Sequence, residues 1–172
     1  MENKKGCGNM NNYDAICKML KDEKVEHEIF EHEGILTYEE GIQRLKFDPN
    51  KIVKTLAFKI EDIKILIALL GKDKLDYKKI SELLSIKRNQ LKMLSEEEVT
   101  DLGFEPGGIC PIAPDKKVRV LIDSKIEKLD YIYCVMSRRD RTLKIPTKDL
   151  KKLSKGVFAD IAKVQEKNEQ ER

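Results

Sequence analysis

The sequence predicts an α+β fold, with a mixed, strongly curved sheet flanked by helices. Two observations carry this reading. The two longest apolar, branched segments, residues 51–60 and 63–70, are separated only by Glu61 and Asp62. That spacing predicts a hairpin and not a parallel βαβ crossover. The remaining strand-length segments alternate with short helical stretches announced by capping residues, with no internal repeat and no second core.

Taken in order, residues 1–11 read as a flexible arm and 12–162 as a single domain. From Asn12 a helix is expected, with Ile16, Cys17, Met19 and Leu20 on one face. Residues 27–32 alternate as a short strand. Thr37 caps the next helix, with Glu40 three residues on completing a capping box. Asp48-Pro49 opens a turn or short helix with proline at its first position. After the hairpin, Asp76 caps a helix through Leu84. Ser95 and Glu98 form a second capping box, and Gly103 is the helix stop. Strands are expected over 118–123, 131–136 and 142–145. Thr147 caps a helix through Leu153, and 157–161 is the last strand. Residues 163–172 read as a charged tail or linker.

The 172 residues suffice for one core, with 40% hydrophobic and 38% charged residues and a formal net charge of +3. A balance so near neutral does not mark a nucleic-acid binder by charge alone, although local patches can still meet an RNA end. No apolar run reaches the ~18 residues of a membrane span. The polar start lacks a signal peptide's apolar stretch, so a soluble cytoplasmic protein, monomeric by default, is expected. Cys7, Cys17, Cys110 and Cys134 show no CxxC spacing. Cys17 and Cys134 lie on apolar faces as small core residues, and no disulfide framework is expected. His27 and His32, five apart on a strand, point to opposite faces, which favours two surface histidines over a metal site. No metal and no cofactor are expected.

Two features concentrate chemistry. GFEPGGICPIAP, Gly103 to Pro114, holds three of the chain's nine glycines and three of its five prolines. Glycine lets backbone approach closely, and proline fixes φ. Such a loop either presents N–H groups in a fixed direction or makes a tight crossover. A Cys–His nucleophile would have to use Cys110, which reads better as a small loop residue. The second feature is Lys54 within IVKTLAF. At the two-residue period it shares a face with Ile52, Leu56 and Phe58, and Val53 and Thr55 take the other. It is either an edge lysine with its head in water or an ammonium on a pocket wall.

KIVKTLAFK, the run from LDYKKI to GGICPIAP, DYIYCVMSRRDRTLKI and the closing GVFADIA occur in an order that resembles the YbaK / prolyl-tRNA-synthetase-associated editing family, from about Glu28 to Ala162. The resemblance implies a barrel-like mixed sheet and an aminoacyl-tRNA deacylase. Such an enzyme removes alanine or cysteine wrongly attached to the tRNA for proline, here with a slight lean to alanine. Editing is the remedy when a pocket cannot reject small substrates by binding alone. The implied partners are the acceptor end of that tRNA and prolyl-tRNA synthetase, in cis or in trans. Lys54 would hold the aminoacyl-adenosine end through its carbonyl or phosphate oxygens. The G-x-x-x-P loop, Gly107, Gly108, Ile109, Cys110 and Pro111, would bind the ester carbonyl and its oxyanion through backbone N–H groups. The tRNA's terminal ribose hydroxyl would help activate water, and no side chain is assigned as base. Thr37, Tyr38, Thr55, Ser137 and Arg141 would line or approach the substrate pocket. Two departures stand out. Cys110 replaces a serine, and the turn after Ser137 is Arg138-Arg139-Asp140-Arg141 where glycines are usual. Those arginines are either a solvated hairpin tip or a phosphate contact. The reading from another class is a catalytically silent tRNA-binding module that assists a synthetase.

Overall fold

Side chains that alternate between two covered faces of adjacent strands organise the molecule. The structure, a computed structural model, describes residues 12–35 and 37–165. Strands β2 (Ile52–Ile60) and β3 (Ile63–Leu70) pair antiparallel from Ile60↔Ile63 to Val53↔Leu70, the expected hairpin. Both faces of this pair are covered. Val53, Ala57, Leu66, Ala68 and Leu70 point into one hydrophobic cluster, and Phe58, Ile65, Ile67 and Leu69 into another. Each fully buried leucine or isoleucine contributes about 2 kcal/mol over leaving it in water.

Among the described residues the sheet has eight strands and does not close. Its order is β1 (Glu28–Glu31), β7 (Arg141–Pro146), β6 (Tyr131–Val135), β2, β3, β5 (Arg119–Asp123) and β8 (Val157–Ala159), with β4 (Lys92–Met93) also on β2. The contacts β6/β2, β3/β5 and β5/β8 are parallel, and the others are antiparallel. Helices α1 (Asn12–Asp22) and α5 (Thr147–Ser154) deliver Ile16, Leu20, Leu150 and Leu153 to the first cluster. Helix α3 (Tyr77–Leu84) delivers Ile80 to the second.

The caps expected from local chemistry form. Thr37 accepts from the Glu40 N–H ahead of α2 (Tyr38–Leu45), the forward half of the expected box, while the Glu40 carboxylate meets Arg44. Asp48 and Asp76 accept from the amides that follow them. Ser95 and Glu98 complete a reciprocal box at the start of α4 (Glu96–Asp101). Gly103 follows α4 at φ 97°, where a β-carbon would also strike the Asn12 side chain. Thr147 is a correction: it is the first residue of α5, Pro146 holds the cap position, and the Thr147 hydroxyl is buried without a partner. Proline has already set the φ that a helix start needs, so no side-chain cap fixes the entry.

Two strands are two residues shorter than expected, with β1 spanning Glu28–Glu31 and β8 ending at Ala159. After β8 the chain bends so that the Ile161 and Ala162 N–H groups meet the buried carboxylate of Asp123. Folded structure also runs past the expected boundary at 162. The Lys163 N–H donates to Lys74 O at 2.8 Å, and Gln165 Nε2 donates to buried Asp73 at 2.7 Å. The arm at 1–11, with Cys7, and residues 166–172 lie outside the described residues. No helix among the described residues is long and apolar enough to cross a membrane.

Candidate active site

A cleft opens where β2 loses its neighbours. Strand β2 pairs with β6 only at Ile52 and Val53 and with β4 only at Phe58 and Lys59. Between them the edge at Lys54, Thr55 and Leu56 has no strand partner among the described residues, and the ladder register turns the Thr55 N–H and C=O toward that open edge. The resulting cleft of about 270 Å³ is lined by Lys54, Thr55, Thr37, Tyr38, Gly107 and Ile109 among others. Six residues singled out from the sequence thus meet at one place. Phe47 and Tyr133, stacked at 4.2 Å, form an aromatic part of the wall.

Lys54 places a cation in the cleft wall. Among the described residues no carboxylate pairs with it directly. Burial holds its ammonium below the ordinary lysine value, against the opposing influence of Asp73 and Glu39. Asp73 itself is buried and ion-paired with Lys125 at 2.5 Å. Tyr38 lies over Gly71, where a β-carbon would come within 2.1 Å of the ring, and its hydroxyl donates to Pro49 O at 3.1 Å.

The glycine–proline loop is built on one turn. The Gly108 N–H donates to Glu105 O at 2.7 Å, and Gly107 sits at φ 83°. With Pro106 second and a left-handed glycine third, Glu105-Pro106-Gly107-Gly108 is a type II turn. Gly108 is also required by contact, because a β-carbon there would come within 2.8 Å of the Ser137 carbonyl oxygen. Two glycines therefore do two jobs, one conformational and one steric. The Gly108 N–H is engaged within the turn. Those of Gly107, Ile109 and Cys110 have no hydrogen-bond partner among the described residues.

Five of the singled-out residues lie outside the cleft wall, the buried Gly108 among them. Cys110 is fully buried, and its thiol pairs with the Cys134 thiol. That hydrogen bond and burial push the Cys134 thiol well up, away from the reactive thiolate. Pro111 is buried behind the loop. Ser137, at φ 68°, is buried beneath Gly108 with its hydroxyl unpartnered. Arg141 turns to Asp140 at 3.1 Å and Glu31 at 3.8 Å.

His32, read from the sequence as a surface histidine, and Arg139, read as a hairpin tip or a phosphate contact, also line the cleft. His32 follows β1 and is drawn in by its N–H to Asp140 O, 3.1 Å. Its Nδ1 contacts the Glu33 carbonyl and its Nε2 the Thr142 hydroxyl, at 2.7 and 2.8 Å. Since a carbonyl only accepts, Nδ1 donates, and both ring nitrogens are occupied. Arg139, in the turn after Ser137, also reaches the wall. Their place at the cleft carries no local signal, because both arrive through contacts distant in sequence. Among the described residues no group of three His, Cys, Asp or Glu is placed to hold a metal ion.

Chemically, the cleft offers an unpaired cation and unengaged backbone donors within apolar walls. Such groups stabilise charge developing on a carbonyl oxygen. The engaged rings and thiols provide no nucleophile–base pair at the wall.

The model of the aminoacyl-tRNA editing domain family matches residues 32–153. The proline–tRNA ligase of Leptospira borgpetersenii serovar Hardjo-bovis (strain JB197) is 32% identical over 139 residues, covering 78% of this chain. The chain spans only 24% of that relative's length. The uncharacterized protein YwhH of Bacillus subtilis (strain 168) is 28% identical over 130 residues, 74% of this chain and 81% of that protein. In fold, the chain is similar to the crystal structure of a candidate trans-editing enzyme for prolyl tRNA synthetase. The TM-score is 0.75 at 21% identity, covering 89% of this chain and 98% of that one.

Proposed function

The chain belongs to the aminoacyl-tRNA editing domain family, and on that premise we propose that it hydrolyses the ester of an amino acid wrongly attached to the tRNA for proline. The observation that carries this reading is the meeting of the unpaired Lys54 ammonium with a rigid loop of unengaged N–H donors in an apolar cleft. Relatives named as proline–tRNA ligases support the choice of tRNA. Alanine is the preferred amino acid and cysteine the second. The activity belongs in the cytoplasm, either free-standing or joined to a synthetase.

In this mechanism water attacks the ester carbonyl carbon. Negative charge moves to the carbonyl oxygen, where N–H groups of Gly107 or Ile109 receive it. The bond to the ribose oxygen then breaks, leaving a free amino acid and an intact tRNA end. Lys54 holds the aminoacyl-adenosine oxygens and is an electrostatic and positioning group, not a base. Thr37, Tyr38 and Thr55 border the bound amino acid.

The test is deacylation of the tRNA for proline charged separately with alanine, cysteine and proline, by wild type and Lys54→Ala. Release of alanine or cysteine with proline spared, lost in Lys54→Ala, is the expected result. No release above the uncatalysed rate by wild type would sink the proposal and favour a binding module.

A further inference from the structure

We infer that Glu105 is a positioning residue that holds the 107–111 loop and the Arg139 guanidinium in one register at the cleft; the inference rests on the deacylase reading above. The hydrogen bonds of Glu105 close the loop on itself and tie it to the turn after Ser137. Its N–H donates to Ser137 O at 2.9 Å, and its C=O accepts the Gly108 N–H at 2.7 Å. Its Oε1 accepts both the Arg139 N–H, at 2.7 Å, and the Arg139 Nε–H, at 3.2 Å. Gly108 then sits against the Ser137–Arg138 peptide with no room for a β-carbon. From the other side, the Ile35 N–H donates to Arg139 O at 3.0 Å, which ties the same turn to the opposite wall.

Surface stabilisation does not explain this arrangement. The Arg139 and Glu105 side chains are 38% and 44% exposed, and ion pairs that exposed add little to stability. A carboxylate accepting a backbone N–H is a stronger, charge-assisted contact, and it fixes a position. The position matters because the loop's unengaged donors begin two residues downstream. With Nε engaged by Glu105, the two Nη groups of Arg139 remain for a phosphodiester of the entering RNA end.

Steady-state deacylation by wild type, Glu105→Gln, Glu105→Ala and Arg139→Ala, each with a thermal melt, tests the inference. Glu105→Ala is expected to lose about 100-fold in kcat, the cost of misplacing reacting groups by about 1 Å. Glu105→Gln can still accept the Arg139 N–H through its amide oxygen, so it keeps kcat within a few-fold of wild type and raises KM. Arg139→Ala raises KM, keeps kcat and weakens the salt dependence of KM. An unchanged kcat in Glu105→Ala, or an equal kcat loss in both Glu105 variants, overturns the inference and leaves the deacylase reading standing. Should Glu105→Ala not fold, unchanged KM in both Glu105→Gln and Arg139→Ala overturns it. An inactive wild type overturns the deacylase reading, and this role with it.

Discussion

Lys54 sets function against stability. Burial disfavours its charged form in the fold, so its pKa lies below the ordinary value. The sign follows from linkage. The penalty is fully present below the folded pKa and is relieved as pH rises through it toward the unfolded value of about 10.4. Lys54→Met is therefore expected to melt above wild type at pH 7, with the gap narrowing toward pH 10, while deacylation is lost. A lower melting temperature at pH 7 would mean that Asp73 and Glu39 outweigh burial. Cys110 illustrates the opposite case, a residue suggestive in sequence and inert in place. Its thiol is sealed against Cys134 in the core. Cys110→Ala is expected to keep hydrolysis at a modest loss of stability. Loss of activity in a variant that still folds would restore thiol chemistry as a candidate.

The elements that present the site are stabilised by short-range chemistry. Helix α4 ends at the residues that begin the glycine–proline loop. Its start carries the Ser95–Glu98 box, and Glu98 also pairs with Lys59 on β2 at 2.5 Å. The Lys59 hydrogen bond, with the Ser95 amide second, holds Glu98 down at about 2. This contribution is complete above the ordinary carboxylate range and disappears as pH falls from about 4.3 toward 2. Ser95→Ala is expected to cost about 1 kcal/mol in urea unfolding at pH 7. Glu98→Gln is also destabilising at pH 7, and its difference from wild type shrinks on acidification to pH 3. A pH-independent difference would show that the charge is not the cause. The same locality explains what could be read in advance. Caps at Thr37, Asp48, Asp76 and Ser95 are decided within four residues, so the sequence discloses them. Pro106-Gly107 also carries a type II turn signal that was available in the sequence. What local pattern cannot disclose is pairing. The two-residue parallel contact between β2 and β6, which leaves the Lys54 edge open, depends on segments about eighty positions apart. His32 and Arg139 enter the cleft through the same kind of distant contact.

At the scale of the whole molecule, the cleft edge belongs to a strand buried on both faces. Val53 and Ala57 face one cluster and Phe58 the other, and β3 alternates in the same way. Neither cluster can dissolve without exposing one face of the β2/β3 pair, so the two layers are coupled through shared backbone. The site inherits that rigidity, which suits donors that must be in place before charge develops. The coupling predicts a single cooperative transition. Tyrosines report on both layers: Tyr77 packs edge-on to Phe58 in the second cluster, while Tyr133 stacks on Phe47 at the cleft. Near-ultraviolet circular dichroism from these rings and far-ultraviolet signal from the backbone are expected to share one urea midpoint. The test sharpens with Ile80→Ala, which opens a cavity in the second cluster alone and should cost 2–5 kcal/mol, or about that range, by loss of buried methyl groups. If the clusters are coupled, this variant lowers the midpoint of both signals equally. A tyrosine transition that separates from the backbone transition, with deacylation surviving between them, would show that the layer carrying α3 melts independently and that the cleft relies on the first cluster alone.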